Sequence, residues 1–231
     1  MYYILLFFLL SLLYFLEAST NIARKAGYNI NNASAGLFFQ SALSIFSRLI
    51  MFVFMPLLGF LADTSMLEIN YFLLFYLLIP ISIFALHSKK RKIEYFFGQI
   101  LLRLKERGTY FKKAKSTYTS KVLLKKEILS LNFKISYILI GIPFYISWPL
   151  IILALIIFQD YRATIIGMSA LFNGLYTLYL SIIVDPILSK LGNYKNIISI
   201  VYDDLVYLKL ISSIISFFLF FIITILIISL N

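Results

Sequence analysis

Long apolar runs separated by short polar stretches set the layout of this chain. Six stretches are long and apolar enough to cross a bilayer, whose hydrocarbon core takes about 20 residues of α-helix. They cover about residues 2–22, 35–62, 69–86, 135–158, 163–188 and 208–230. The pattern predicts an all-α integral membrane protein with about six transmembrane helices, folded as a single polytopic domain over residues 1–231. One long polar stretch, 88–134, interrupts it. Within that stretch Ile93, Phe96, Phe97, Ile100, Leu101 and Leu104 recur at helical spacing, with Arg103, Lys105 and Arg107 close by. This is the pattern of a basic amphipathic helix, of the kind that lies on an anionic leaflet.

Three spans on each side of the basic stretch put the two halves in opposite orientations. Ser41-Ala42-Leu43 and Met55-Pro56 in the second span are echoed by Ser169-Ala170-Leu171 and Asp185-Pro186 in the fifth. Two inverted three-helix halves would produce such an echo. The first apolar run lacks a basic leader, carries Glu17 inside it, and offers only Ala18-Ser19-Thr20 as a cleavage site. It is therefore expected to stay as a span and not to be removed as a signal peptide.

Composition narrows the functional classes. Apolar residues make up 61% of the chain and charged residues only 13%, against about 25% charged in an ordinary soluble domain. Cysteine is absent and His87 is the only histidine. Thiolate chemistry and histidine-based metal sites therefore drop out, and no metal or other cofactor is expected. Residues 88–134 hold 14 Lys/Arg against 3 Asp/Glu, which accounts for the whole formal net charge of +11. Charge concentrated in one loop between spans argues for a cytoplasmic orientation signal and contact with membrane lipids, not for nucleic acid. The remaining loops agree. Arg24, Lys25, Lys190 and Lys195 fall on the basic side, and Asp63, Glu68 and Asp160 with Arg162 on the other. Both termini are then expected outside.

Ionisable groups at membrane depth are costly and mark function. Arg48 lies near the middle of the second span. Ser41, Ser44 and Arg48 share a helix face that Met55 and Gly59 continue. A guanidinium stays protonated and presents five donors suited to phosphate or carboxylate. Arg48 thus reads either as an anion site or as one half of an ion pair with Glu17 or Asp185. Glu17 sits about one turn from the cytoplasmic boundary, placed for pairing or for binding a coupling proton. In the fifth span Ser169, Asn173, Thr177, Ser181 and Asp185 recur at every fourth residue. A step of four winds only slowly round an α-helix, so these groups form one stripe. The stripe suits either a cavity lining or hydrogen bonding between helices. The fourth span carries Gly141, Pro143, Ser147, Trp148 and Pro149. Two prolines six residues apart predict a bend or break there, and Pro186 predicts another at Asp185.

Two stretches carry a family resemblance. The first holds EASTNIARKAG at 17–27, an SxxxxxSR stretch ending at Arg48, and PLLGFLAD at 56–63. The second is NGLYTLYLSIIVDPILS at 173–189. In order, spacing and six-span layout they resemble the Amj family of bacterial alternate lipid II flippases. The resemblance implies a multi-pass protein of the bacterial cytoplasmic membrane serving cell-wall (peptidoglycan) biogenesis and cell shape. It would move the undecaprenyl-pyrophosphate-linked precursor from the inner to the outer leaflet. The matching positions it carries over are Glu17, Arg24, Gly27, Arg48, Pro56, Gly59, Asp63, Asn173, Asp185 and Pro186. The lysine-rich middle and the Ile/Tyr/Phe-rich spans depart from the family pattern.

Taken together, the expected substrate-binding set is Arg48, Ser44, Asn173, Thr177 and Ser181. Coupling or ion pairing falls to Glu17, Asp185 and Asp63. Structural roles fall to Gly27, Pro56, Gly59, Pro143, Pro149 and Pro186. No catalytic residue is expected, and GxxxxGK[ST] is absent, so no nucleotide drives the cycle directly. The expected partners are lipid II, membrane lipids and proteins of cell-wall synthesis. Two other classes remain open: an enzyme acting on a polyprenyl-phosphate carrier, and a scaffold of the cell-wall machinery. Pyrophosphate hydrolysis would mark the first. Tolerance of Arg48→Ala would mark the second.

Overall fold

With no water in the bilayer core, a chain this apolar must satisfy its backbone within helices. The computed structural model describes residues 2–64, 67, 76–109, 111–119, 128–192 and 194–230, and every regular element among them is helical. The long helices are α1 (Tyr2–Asn29) and α2 (Ala33–Asp63), then α3 (Leu78–Ser88) and α4 (Lys90–Arg107). There follow α5 (Leu131–Ile157) and α6 (Arg162–Tyr179), the latter running through a π turn at Leu180–Val184 into α7 (Asp185–Leu191), and finally α8 (Lys195–Leu230). Five helical segments are long and apolar enough to cross a membrane: Tyr2–Asn29, Ala33–Asp63, Leu131–Ile157, Gln159–Leu191 and Ile197–Ile227. The stretch expected at 69–86 ends in α3, which has 11 residues; residues 69–75 lie outside the described residues.

Helix α1 is the hub. It packs on α2, α3, α4 and α8, while α5 packs on α6 and α8. Its apolar half buries Leu6, Phe7, Leu10 and Tyr14 completely. Its second half is buried almost all round from Ala18 to Gly27, because small residues there let neighbouring backbones come close. The α1–α2 hairpin shows this most sharply. Asn31 takes the left-handed conformation at φ 57°, which asparagine tolerates at a helix end. The Asn32 side chain then caps α2 by accepting from the Ala35 amide at 3.1 Å. The turn lays Gly27 against Gly36, and a Cβ on Gly27 would meet the Gly36 nitrogen at 2.7 Å. Gly59 is different: a Cβ there meets nothing within 4 Å.

Three expectations need correction. Helix α1 does not stop near residue 22, nor does α8 begin near 208. Both run on through the basic side, so Arg24 and Lys25 sit in a buried helix and not in a loop. The cause is charge neutralisation by partners distant in sequence, described below. The prolines do not break α5, which is continuous through Pro143 and Pro149. Pro149 has no N–H for the Tyr145 carbonyl four residues back. That carbonyl instead accepts from the Tyr14 and Tyr76 hydroxyls, each at 3.4 Å. Near Pro143, Ser212 and Ser216 donate to the Ile138 and Ile142 carbonyls at 3.3 and 3.1 Å. Pro56 likewise lies inside an unbroken α2. Ahead of Pro186 the helix widens into the π turn, with the Asp185 amide bonded to the Leu180 carbonyl, and then continues to Leu191. Helix α4 also does not lie free. Glu94, Phe97, Leu101 and Leu102 are buried, and the helix packs on α1 and α2.

The glycine crossing gives a direct test. Gly27→Val should destabilise the α1–α2 hairpin by about 1–3 kcal/mol or prevent folding, the cost of forcing a side chain into a filled space. Gly59→Ala should be neutral. Thermal unfolding of the two purified variants in detergent checks this.

Candidate functional site

All the expected substrate-binding residues, with Glu17 and Asp185 but not Asp63, line one cavity. It is an open-sided groove of about 300 Å³. One side is α2, which contributes Gln40, Ser44, Ser47, Arg48 and Met51; the other is the α6–π–α7 segment, with Asn173, Tyr176, Thr177, Leu180, Ser181 and Asp185. Leu13 and Glu17 of α1, with Phe144 and Trp148 of α5, complete the lining. The apolar part is held by aromatic packing: Trp148 meets Phe54 edge-on at 4.9 Å, and Phe144 stacks on Tyr176 at 4.2 Å. On either flank the helices present apolar side chains outward, Phe46 and Phe52 from α2 and Leu175 and Leu178 from α6. Those faces suit acyl chains, and the groove is a polar slot between two exposed apolar walls.

Arg48, near the centre of α2, is exposed and makes no ion pair with any described residue. Neither of the two acids weighed as its partners pairs with it. Glu17 is half-buried and lies 3.5 Å from the Ser47 hydroxyl, which also donates to the Ser44 carbonyl at 2.8 Å. Asp185 pairs with Arg24 at 2.5 Å. A guanidinium does not shed its proton, so the solvation of Arg48 must come from water or an anion in the groove. From the serine–threonine stripe, Asn173, Thr177, Ser181 and Asp185 reach the groove. Ser169 does not: it is buried and donates to the Ile166 carbonyl at 2.8 Å. Ser41 is also outside the lining, exposed and donating to the Leu37 carbonyl at 3.1 Å. Asp63 stands apart at the far end of α2, paired with Arg162 at 2.9 Å. That pair ties the ends of the two groove walls together.

Sequence reasoning missed two features. Lys209 of α8 is only 2% exposed, and its Nζ donates to the Glu17 carbonyl at 2.8 Å. The apolar run that starts near 208 places it at the very beginning of the sixth span. Because α8 begins at Lys195, Lys209 is in fact well inside it. The second is a charge cluster at the basic end. Lys25 bridges Glu94 at 2.9 Å and Asp203 at 2.8 Å, and Lys90 lies 3.4 Å from Asp203. Asn29 and the Tyr118 hydroxyl donate to Glu94 at 2.9 and 2.6 Å. Burial, with the Glu94 carboxylate beside it, pushes the Tyr118 hydroxyl pKa up. These groups come from α1, α4, the segment after α4 and α8, separations no local pattern reveals.

Among the described residues no group of three or more histidines and acids is placed to hold a metal ion. No family model, curated protein or solved structure matches the chain.

The two kinds of cation should behave differently on substitution. Arg48→Gln, which breaks no pair, should change stability by less than about 0.5 kcal/mol, as for positions without partners. Lys25→Met, which strands the buried Glu94 and leaves Asp203 only Lys90, should cost about 3–5 kcal/mol. Paired thermal melts of the purified variants give the comparison.

Proposed function

We propose that this chain is a flippase for a polyprenyl-diphosphate-linked lipid, lipid II of the bacterial cytoplasmic membrane, carried from the inner to the outer leaflet. The observation that carries this reading is the Arg48 guanidinium, without an ion-pair partner among the described residues, in a hydroxyl-lined groove whose flanks are exposed and apolar. A diphosphate cannot cross hydrocarbon unaided, since burying an unpaired charge costs several kcal/mol or more. A slot of this kind lets the headgroup travel beside Arg48 while the isoprenoid stays among acyl chains. Arg48 offers paired donors to the diphosphate, and Ser44, Asn173, Thr177 and Ser181 supply neutral partners along the path. Glu17, with Lys209 behind it, is the coupling group: it takes up a proton as the diphosphate leaves Arg48.

The arrangement of helices supports the inverted-halves scheme. α1 packs on α2 and α3 as α5 packs on α6 and α8, and the groove is lined by the first two helices of each half. In this scheme 76–88 completes a sixth span, the basic end faces the cytoplasm, and both termini lie outside. The Amj resemblance fits the same function, with proteins of cell-wall synthesis as partners.

Trp148 is the only tryptophan in the chain and lines the groove, so it is a built-in reporter. Farnesyl diphosphate should change its emission saturably, and farnesol should not. In a strain lacking its lipid II flippases, the wild-type chain should restore growth and bring lipid II to the outer leaflet. Arg48→Gln should abolish both at normal abundance, and Arg48→Lys should recover part, since charge remains but the planar fork is lost. Well-inserted protein that fails to complement counts against the assignment.

A further inference from the structure

Arg24 has no use in the scheme above, yet it is placed next to the path. It lies one helical face along α1 from Glu17, seven residues or about 10 Å further toward the basic end. Its side chain is 8% exposed, whereas that of Asp185, its ion-pair partner, is 46% exposed. Asp185 lines the groove and Arg24 does not, so the carboxylate stands between the guanidinium and the cavity. The Arg24 Nε is buried with no hydrogen-bond partner among the described residues. Its carbon lies 5.7 Å from the centre of the Tyr202 ring, within the range of a cation–π contact. The other acid of this region, Asp203, is taken by Lys25 and Lys90.

The masking carboxylate sits at the end of a widened, under-wound segment. The π turn Leu180–Val184 ends at Asp185, and π turns inside α-helices are rare, mostly single turns, and frequent at functional sites. Relaxing that turn to α winding would rotate Asp185 relative to α6 and uncover Arg24. A carboxylate on a guanidinium fork is also the natural stand-in for a phosphate on the same fork.

We propose that Arg24 is a second anion station at the basic-end mouth of the groove, masked by Asp185 and claimed by an incoming diphosphate group. This rests on the lipid-diphosphate reading and deepens it. The diphosphate displaces the Asp185 carboxylate, engages Arg24, and passes on to Arg48, with Asp185 resealing the mouth behind it. The station recognises the diphosphate itself, whether lipid-linked or free.

The test uses the full chain in detergent, with Trp148 emission and the melting temperature as readouts. Inorganic pyrophosphate and farnesyl diphosphate are the probes. Asp185→Asn removes the competing carboxylate and should tighten diphosphate binding about tenfold. The double variant Arg24→Gln/Asp185→Asn should lose that gain. If Asp185→Asn proves too unstable to purify, recovery of folded protein in pyrophosphate supports the station, because a ligand bound to the native state stabilises it; no recovery overturns it. A merely structural clamp gives the opposite pattern, with Asp185→Asn lowering the melting temperature and leaving affinity unchanged or weaker. Binding by the wild type that Arg48→Gln removes, without any gain in Asp185→Asn, overturns the Arg24 station alone. No response of the wild type to either probe overturns the flippase reading and the station together. Tighter binding of farnesyl diphosphate than pyrophosphate identifies the lipid-linked source; equal affinities keep the station but assign it to free phosphate.

Discussion

A guanidinium inside a membrane helix cannot be neutralised by losing its proton, so it must be given an acid, an anion or water. At Arg48 the described residues give it no acid. Glu17 is turned to Ser47, and Asp185 is committed to Arg24. Water or an anion is left, and the groove supplies room for either. Much of the surrounding architecture follows from that requirement. The α6–π–α7 segment turns Asn173, Thr177 and Ser181 toward the groove, while its other faces carry leucines outward. Phe144 and Trp148 close the apolar side of the slot.

The same logic runs through the other charges, with the opposite solution. Lys25 is buried with Glu94 and Asp203 about it, Arg162 is tied to Asp63, and Arg24 is tied to Asp185. These pairs hold elements distant in sequence together: α1 to α4 and α8, α1 to α7, α2 to α6. They explain why the helices continue past the lengths that hydropathy alone suggests. The buried pair of Lys25 with Glu94 is weak as a net stabiliser but costly to break, which makes it effective in fixing one arrangement of helices; the exposed Arg162–Asp63 pair contributes little. Lys209, bonded to the Glu17 carbonyl, adds a cation directly behind the groove wall.

How much of this could be read from the sequence depended on range. The stripe from Asn173 to Asp185 and the shared face of Ser44 and Arg48 are local, helical-period patterns, and both line the groove. The tight crossing at Gly27 was legible only as a glycine in a motif; its partner, Gly36, emerges from the hairpin. What depended on long-range contacts was not legible. The prolines of α5 looked like breaks because the tyrosines and serines that serve the neighbouring carbonyls lie up to 131 residues away. Arg24 and Lys25 looked like loop residues because their acids are more than 60 positions away. Lys209 was hidden by a misplaced helix start.

The claim beneath the whole account is that the slot beside Arg48 is wet while the faces flanking it are bathed in lipid. The chain has no cysteine, so single cysteines can be introduced one at a time and probed in native membranes with a water-soluble maleimide. Cysteines replacing Ser44 and Ser181 should react, and farnesyl diphosphate should protect them. Cysteines replacing Phe52 and Leu175, which protein leaves exposed whereas Ser44 is half-buried, should stay unmodified. Ser44 and Ser181 positions that are as unreactive as Phe52 and Leu175 would mean a dry groove, and the account would be wrong.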